Sequence, residues 1–302
     1  MKHLLFTALF TALAILLPSA SNAAEGPEVV RAPVTQHLQD ISVTVKSGSG
    51  QGSGVLFTRG EHTFVWTAAH VVDNLRKTRT VTVNGSTKTV VEFDDAAIVQ
   101  EFKEGGRRIG ETKMDAQIIR YSDADYGEDL ALLLIRKSNF TQVTTRFYLD
   151  DEIPEIGTNL YHVGSLLGQF GSNSLTTGVI AQTGRVLELG KGTVFDQTTA
   201  TAFPGSSGGG VFLQKDGRYV GMLVRGAGEG FNFIVPVRRL RAWAKSANVE
   251  WAVDPTIALP ADFDKPKQIE DVGVTFDKSY SGATKKFPFL IKRDSLLERL
   301  TQ

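Results

Sequence analysis

The chain has 302 residues, 41% of them hydrophobic and 22% charged, the balance of a folded globular protein of one or two domains. Its 33 basic and 33 acidic residues cancel, and the basic ones are scattered, so nothing marks a footprint for nucleic acid or an anionic membrane. It has no cysteine, which excludes disulfides, thiolate metal sites, cysteine nucleophiles and a lipoprotein anchor.

The opening stretch MKHLLFTALFTALAILLPSASNAAEG joins a basic start at Lys2 to an apolar run from Leu4 to Leu17 and then to small residues ending near Ala23. The run is too short to span a bilayer comfortably. The pattern predicts a signal peptide over residues 1–23 and a mature chain, from about Ala24, that is periplasmic or secreted. An uncleaved anchor is the alternative. No later stretch is apolar enough for a membrane helix, so no membrane contact is expected after cleavage.

From about Ile41 to Pro236, short β-type runs are punctuated by glycine and polar turns: ISVTVKS, SGVLFTRG, TFVWTAA, TVTVNGSTKTVVEF, AQIIRY, LALLLI, NLYHVG, LTTGVIAQTGRV, YVGMLV and FNFIVPV. VNGS and KDGR read as hairpin turns, because Asn-Gly and Asp-Gly tolerate positive φ. Many closely spaced strands without strand–helix alternation predict an all-β fold of barrels or a sandwich. DDAAIVQEFKEGGRRIGE and SDADYGED read as insertions. The second is a solvated acidic turn, since its ligand spacing and closing glutamate are wrong for a calcium loop. Helical periodicity is clearest in VRRLRAWAKSA, where Val237, Leu240, Trp243 and Ala247 share a face, and predicts a helix closing the β body. DPTIALPADFDKPKQ reads as a linker or surface strap, and residues 267–302 show apolar clusters such as KKFPFLI but no repeat.

FPGSSGGGVF, residues 203–212, sets two serines among glycines. It fits a tight turn between strands and fits equally a loop that presents Ser207 beside backbone donors. A serine hydroxyl needs a base, usually an imidazole oriented by a carboxylate. His70 lies in TFVWTAAHVVDNL, at the end of an apolar strand and the start of a helical turn, with small neighbours that leave room for a substrate. Asp129, in GEDLALLLI, leads into a core strand, where a carboxylate needs a partner or an exposed mouth; Asp123 and Asp125 are nearby alternatives. No histidine follows His162, which rules out the serine–acid–histidine order of the α/β-hydrolases, and a hairpin rather than a helix follows Ser207. The order left is histidine, aspartate, serine on β structure.

TAAHVVDNL, DLALLLI, YHVGSLLGQFGSNSLTTGVIAQTGR, FPGSSGGGVF and GFNFIVPVRRL occur in the order of a trypsin-like, chymotrypsin-fold serine protease, and the chain most resembles the HtrA/Deg group across about residues 40–245. The resemblance implies two six-stranded antiparallel β-barrels with a closing C-terminal helix and an active site between them. It implies a catalytic triad of His70, Asp129 and Ser207, with the N–H groups of Gly205 and Ser207 as oxyanion hole and the Ser206 side chain pointing away. It also implies a primary pocket formed by Thr201, six residues before the nucleophile, and by Val224, Arg225 and Gly226. No aspartate stands at Thr201, so small or apolar side chains are expected there rather than Lys or Arg.

Residues 24–250 would be the protease domain and 251–302 an extension of unassigned role, too short for the PDZ domain usual in the group. The expected partners are protein or peptide substrates, unfolded or damaged proteins among them, with no nucleic acid, metal or organic cofactor, and oligomer formation is left open. The alternative function is a catalytically silent homologue that binds peptides or partner proteins.

Overall fold

The computed structural model describes residues 33–125, 127–187, 193–226 and 230–264. The predicted signal peptide and the KKFPFLI cluster lie outside these residues. Twelve of the strands close into two barrels. The first runs in the order β1 (Ser42–Ser47), β2 (Gly50–Arg59), β3 (His62–Thr67), β8 (Leu130–Ile135), β7 (Arg107–Ser122) and β6 (Ala96–Glu104), and β6 closes it by pairing with β1, Val45 opposite Ile98. The second runs β10 (Gly171–Val186), β11 (Val194–Thr198), β14 (Asn232–Pro236), β13 (Tyr219–Gly226), β12 (Gly210–Leu213) and β9 (Asn159–Leu166). All the pairings are antiparallel, as the resemblance implied.

The stretch DDAAIVQEFKEGGRRIGE is not an insertion. Its first half is β6, with Ala96, Ile98 and Val99 buried, and its charged second half is the tip of the β6–β7 hairpin. The charges had masked a barrel strand. The element outside both barrels is instead the two-stranded sheet of β4 (Arg76–Val83) and β5 (Ser86–Phe93), which turns at Asn84 and Gly85, both at positive φ as Asn-Gly predicts.

LALLLI lacks a strand's usual alternation because β8 and its neighbour β3 are covered on both faces. Leu56 and Val65, paired across β2 and β3, face inward, while Phe57, Phe64 and Trp66 stack together on the outer face. Outside, Trp66 meets Trp243 of helix α3 (Val237–Ser246) edge-on at 5.8 Å and donates its indole N–H to Ala252 O at 3.1 Å. After α3 the chain returns to the first barrel. Trp251 and Phe263 are buried against Phe64, and Arg59 Nε donates to Trp251 O at 2.8 Å. Trp251, Ala252 and Val253, and Phe263 within the strap, are therefore part of the packed body. An N-terminal helix, α1 (Val34–Asp40), buries Leu38 and had no periodic signal in its short sequence.

Candidate active site

His70 stands on a one-turn helix, α2 (Ala69–Val72), which begins two residues after β3 ends. Ala68 and Ala69 are fully buried, so small side chains let this turn sit against the barrel. Asp129 is held immediately before β8 at φ +55, a left-handed conformation that ordinary residues rarely adopt. The loop before it folds tightly. Asp129 N–H donates to Asp123 O at 3.2 Å, and a Cβ on Gly127 would lie 2.5 Å from Ser122 Oγ. The Asp129 carboxylate, 1% exposed, meets His70 Nδ1 through both oxygens at 3.0 Å and accepts the His70 backbone N–H at 3.1 Å. Burial pushes its pKa up. The hydrogen bonds and charge of His70, with the nearby charge of Arg225, outweigh burial and hold the carboxyl below its ordinary value.

Ser207 lies in the loop between β11 and β12. Gly205 adopts φ +96, and a Cβ there would stand 2.3 Å from Ser165 O, so no side chain fits at that bend. Ser206 is fully buried, and its hydroxyl accepts the Phe203 N–H at 3.1 Å, turned away from the cleft. Ser207 Oγ donates to Val224 O at 3.4 Å, long for a hydroxyl. Val224 lines a cleft of about 260 Å³ that also contains His70, Tyr121, Asp123 and Arg225. The structure thus brings His70 and Asp129 into contact, and ties the Ser207 hydroxyl to Val224, which lines the same cleft as His70, rather than to the imidazole. Among the described residues, the N–H groups of Gly205 and Ser207 donate to no protein acceptor.

The expected pocket residues fall on two segments. Thr201 is exposed and anchored through its carbonyl by Thr176 Oγ1 at 2.9 Å; Val224, Arg225 and Gly226 form the end of β13. Arg225 Nη2 donates to Ala124 O at 3.1 Å, so the guanidinium reaches toward the acidic loop of the first barrel. Asn232, opposite Gly226 on β14, was missed. Its buried amide donates to Ala200 O at 2.7 Å, and its Oδ1 would lie 2.3 Å from a Cβ on Gly226, so one side chain bridges both segments. In the sequence it is one polar residue inside an apolar strand, with nothing to separate it from a ladder position.

The profile of the trypsin-like peptidase domain matches residues 52–222, more than half of the chain. The chain belongs to that family, whose members are serine proteases acting on proteins. No curated protein matches it. Among solved structures it is similar to a serine endoprotease from Yersinia pestis, with 20% identity over 74% of this chain and 69% of that one at a TM-score of 0.48. It is also similar to Deg5, with 18% identity over 73% of this chain and 94% of that one at a TM-score of 0.52. The likeness to Deg5 is one of fold.

Proposed function

We propose that the chain is a secreted or periplasmic serine endopeptidase that cleaves through an acyl-enzyme. Ser207 Oγ attacks the peptide carbonyl while His70 Nε2, the ring nitrogen not engaged by Asp129, takes the hydroxyl proton. The carbonyl oxygen, now negative, accepts the N–H groups of Gly205 and Ser207. The protonated imidazole then gives its proton to the leaving amine, and water repeats the sequence to release the acid. Asp129 orients the ring and supports its positive charge. The observation that carries the reading is the contact of the buried Asp129 carboxylate with His70, which lines a cleft together with Val224, the residue that accepts the Ser207 hydroxyl.

Unfolded or damaged proteins are the substrate class this reading favours. Leu167, Phe170 and Phe203 are 54%, 93% and 45% exposed, and Leu167 N–H donates to Pro204 O at 2.7 Å, which joins the first two to the nucleophile loop. Apolar residues beside a peptidase cleft suit chains whose own apolar side chains are uncovered. The hydroxyl's bond to Val224 O favours a second reading, a silent homologue that binds peptides without cutting them. Incubation of the mature chain and Ser207→Ala with an unfolded protein, followed by mass spectrometry, separates the two. Cuts made by the first and absent with the second support the peptidase; a folded mature chain that neither cuts nor reacts with a fluorophosphonate supports the binding protein.

A further inference from the structure

We infer that Ser53, a buried residue of the first barrel, is a positioning residue that sets the oxyanion cradle of the second; this rests on the proposed role of Gly205 and Ser207. Ser53 lies on β2, fully buried, opposite Thr44 of β1. It makes two bonds to the nucleophile loop: its N–H donates to Ser207 O and its hydroxyl to Gly205 O, each at 2.7 Å. The same hydroxyl accepts the Ser165 N–H from β9 at 2.7 Å. The donors and acceptors follow from chemistry alone: a carbonyl can only accept and an amide N–H can only donate, so the single hydroxyl proton goes to Gly205 O.

The consequence falls on Gly205. The peptide before it carries the cradle N–H, and its carbonyl, Pro204 O, accepts Leu167 N–H at 2.7 Å. The peptide after it is held by Ser53. In a trans peptide the C=O and N–H point in opposite directions, so the bond at Pro204 O aims the Gly205 N–H away from Leu167. With both flanking peptides tied, the φ of +96 at Gly205 is fixed from outside the loop. The loop has no side chain at Gly205 to lock itself, and Ser53 supplies the lock from the other barrel. A cradle must be rigid before the reaction to stabilise charge that develops only in the transition state.

Ser53→Ala removes the donor to Gly205 O and the acceptor for Ser165 N–H while leaving the Ser53 N–H bond to Ser207 O. The expected result is a kcat lower by roughly 10- to 100-fold with KM within about threefold, since ground-state contacts are untouched. A peptide boronic acid, whose oxygen occupies the cradle, should lose affinity by a similar factor. Hydrogen exchange across residues 203–209 should quicken, a readout independent of turnover. Ser53→Cys, close in size with a weak S–H donor, should recover part of each loss. Unchanged boronate affinity and loop exchange in Ser53→Ala, or a fall in melting temperature with kcat preserved, would overturn the inference. A wild-type chain that neither cleaves peptides nor binds the boronate overturns the peptidase reading instead, and the lock is then judged on loop exchange alone.

Discussion

Arg239, in the first turn of the closing helix, grips Glu128 at two points: its side-chain carboxylate and, at 2.8 Å, its backbone carbonyl. Glu128 immediately precedes Asp129, so a helix that follows the last strand of the second barrel steadies the acid of the first. Arg239 is itself held over the Phe195 ring at 4.6 Å. Arg239→Gln, too short to reach both groups, should free the loop that keeps Asp129 at its left-handed φ. Hydrolysis should fall about tenfold through kcat, the scale of a misplaced catalytic group. Steady-state kinetics with a peptide substrate check this; an unchanged kcat would mean that Asp129 keeps its place without the helix.

The two adjacent serines should separate cleanly. Ser207→Ala removes the proposed nucleophile and should abolish hydrolysis and fluorophosphonate labelling with folding intact. Ser206→Ala leaves the Phe203 N–H without its acceptor, which should cost about 1 kcal/mol of stability and spare most of the activity. Equal loss of activity in both variants would show that the hydroxyl at Ser207 is not the one that reacts.

The residue on the acyl side of the cut bond should be small and apolar. Asn232 bridges Ala200 and Gly226, which on the proposed reading flank the primary pocket, and so narrows it. Alanine and valine should therefore be preferred over leucine, by a modest factor of roughly 10 to 200 as is usual for methylene differences. Asn232→Ala should move the preference toward larger apolar residues. A cleavage map from an unfolded protein dominated by Lys and Arg would refute this pocket.

The strand runs and the closing helix were legible because each rests on local pattern, whereas closure into two six-stranded barrels and the meeting of His70 with Asp129 were implied by the family resemblance. What escaped depends on contacts between distant segments. Ser53 stands in QGSGVLF and Asn232 in FNFIVP as ordinary strand residues, and only the closure of the barrels brings them to Gly205 and Gly226. The β6 strand escaped for a different reason, since the charges at its hairpin tip outweighed its buried half.

His162 should make the fold sensitive to acid. It is fully buried on β9, its Nδ1 bonded to Gly210 O at 3.0 Å and its Nε2 without a partner among the described residues, and burial lowers its pKa from 6.5 to about 4. The unfolded chain therefore binds the proton first. Stability contributed by the neutral ring is present above pH 6.5 and is lost as pH falls toward about 4, roughly 3 kcal/mol in all at about 1.4 per pH unit. His162→Asn keeps a donor for Gly210 O and does not titrate. Urea melts at pH 7 and pH 4.5 should show a smaller acid loss in this variant than in the wild type; equal losses would remove His162 as the cause.

Phe263 should count as core. It packs on His62, Phe64 and Trp251 with ring centroids 4.6, 5.6 and 6.0 Å away. Phe263→Ala should destabilise the protein by about 3 kcal/mol in urea titrations, the usual cost of emptying a buried phenylalanine site, and leave kcat/KM near the wild-type value. A loss under about 1 kcal/mol would make the strap a surface decoration.

The order of segments along the chain also sets when cutting power can appear during synthesis. Every strand of the first barrel lies before Arg136, so a chain that has emerged that far carries His70 and Asp129 and no nucleophile. Ser207 arrives later, and the grip of Arg239 on Glu128 comes after even β14. On the proposed peptidase reading, a nascent chain therefore cannot cut its neighbours before Ser207 and the residues that hold its loop have emerged.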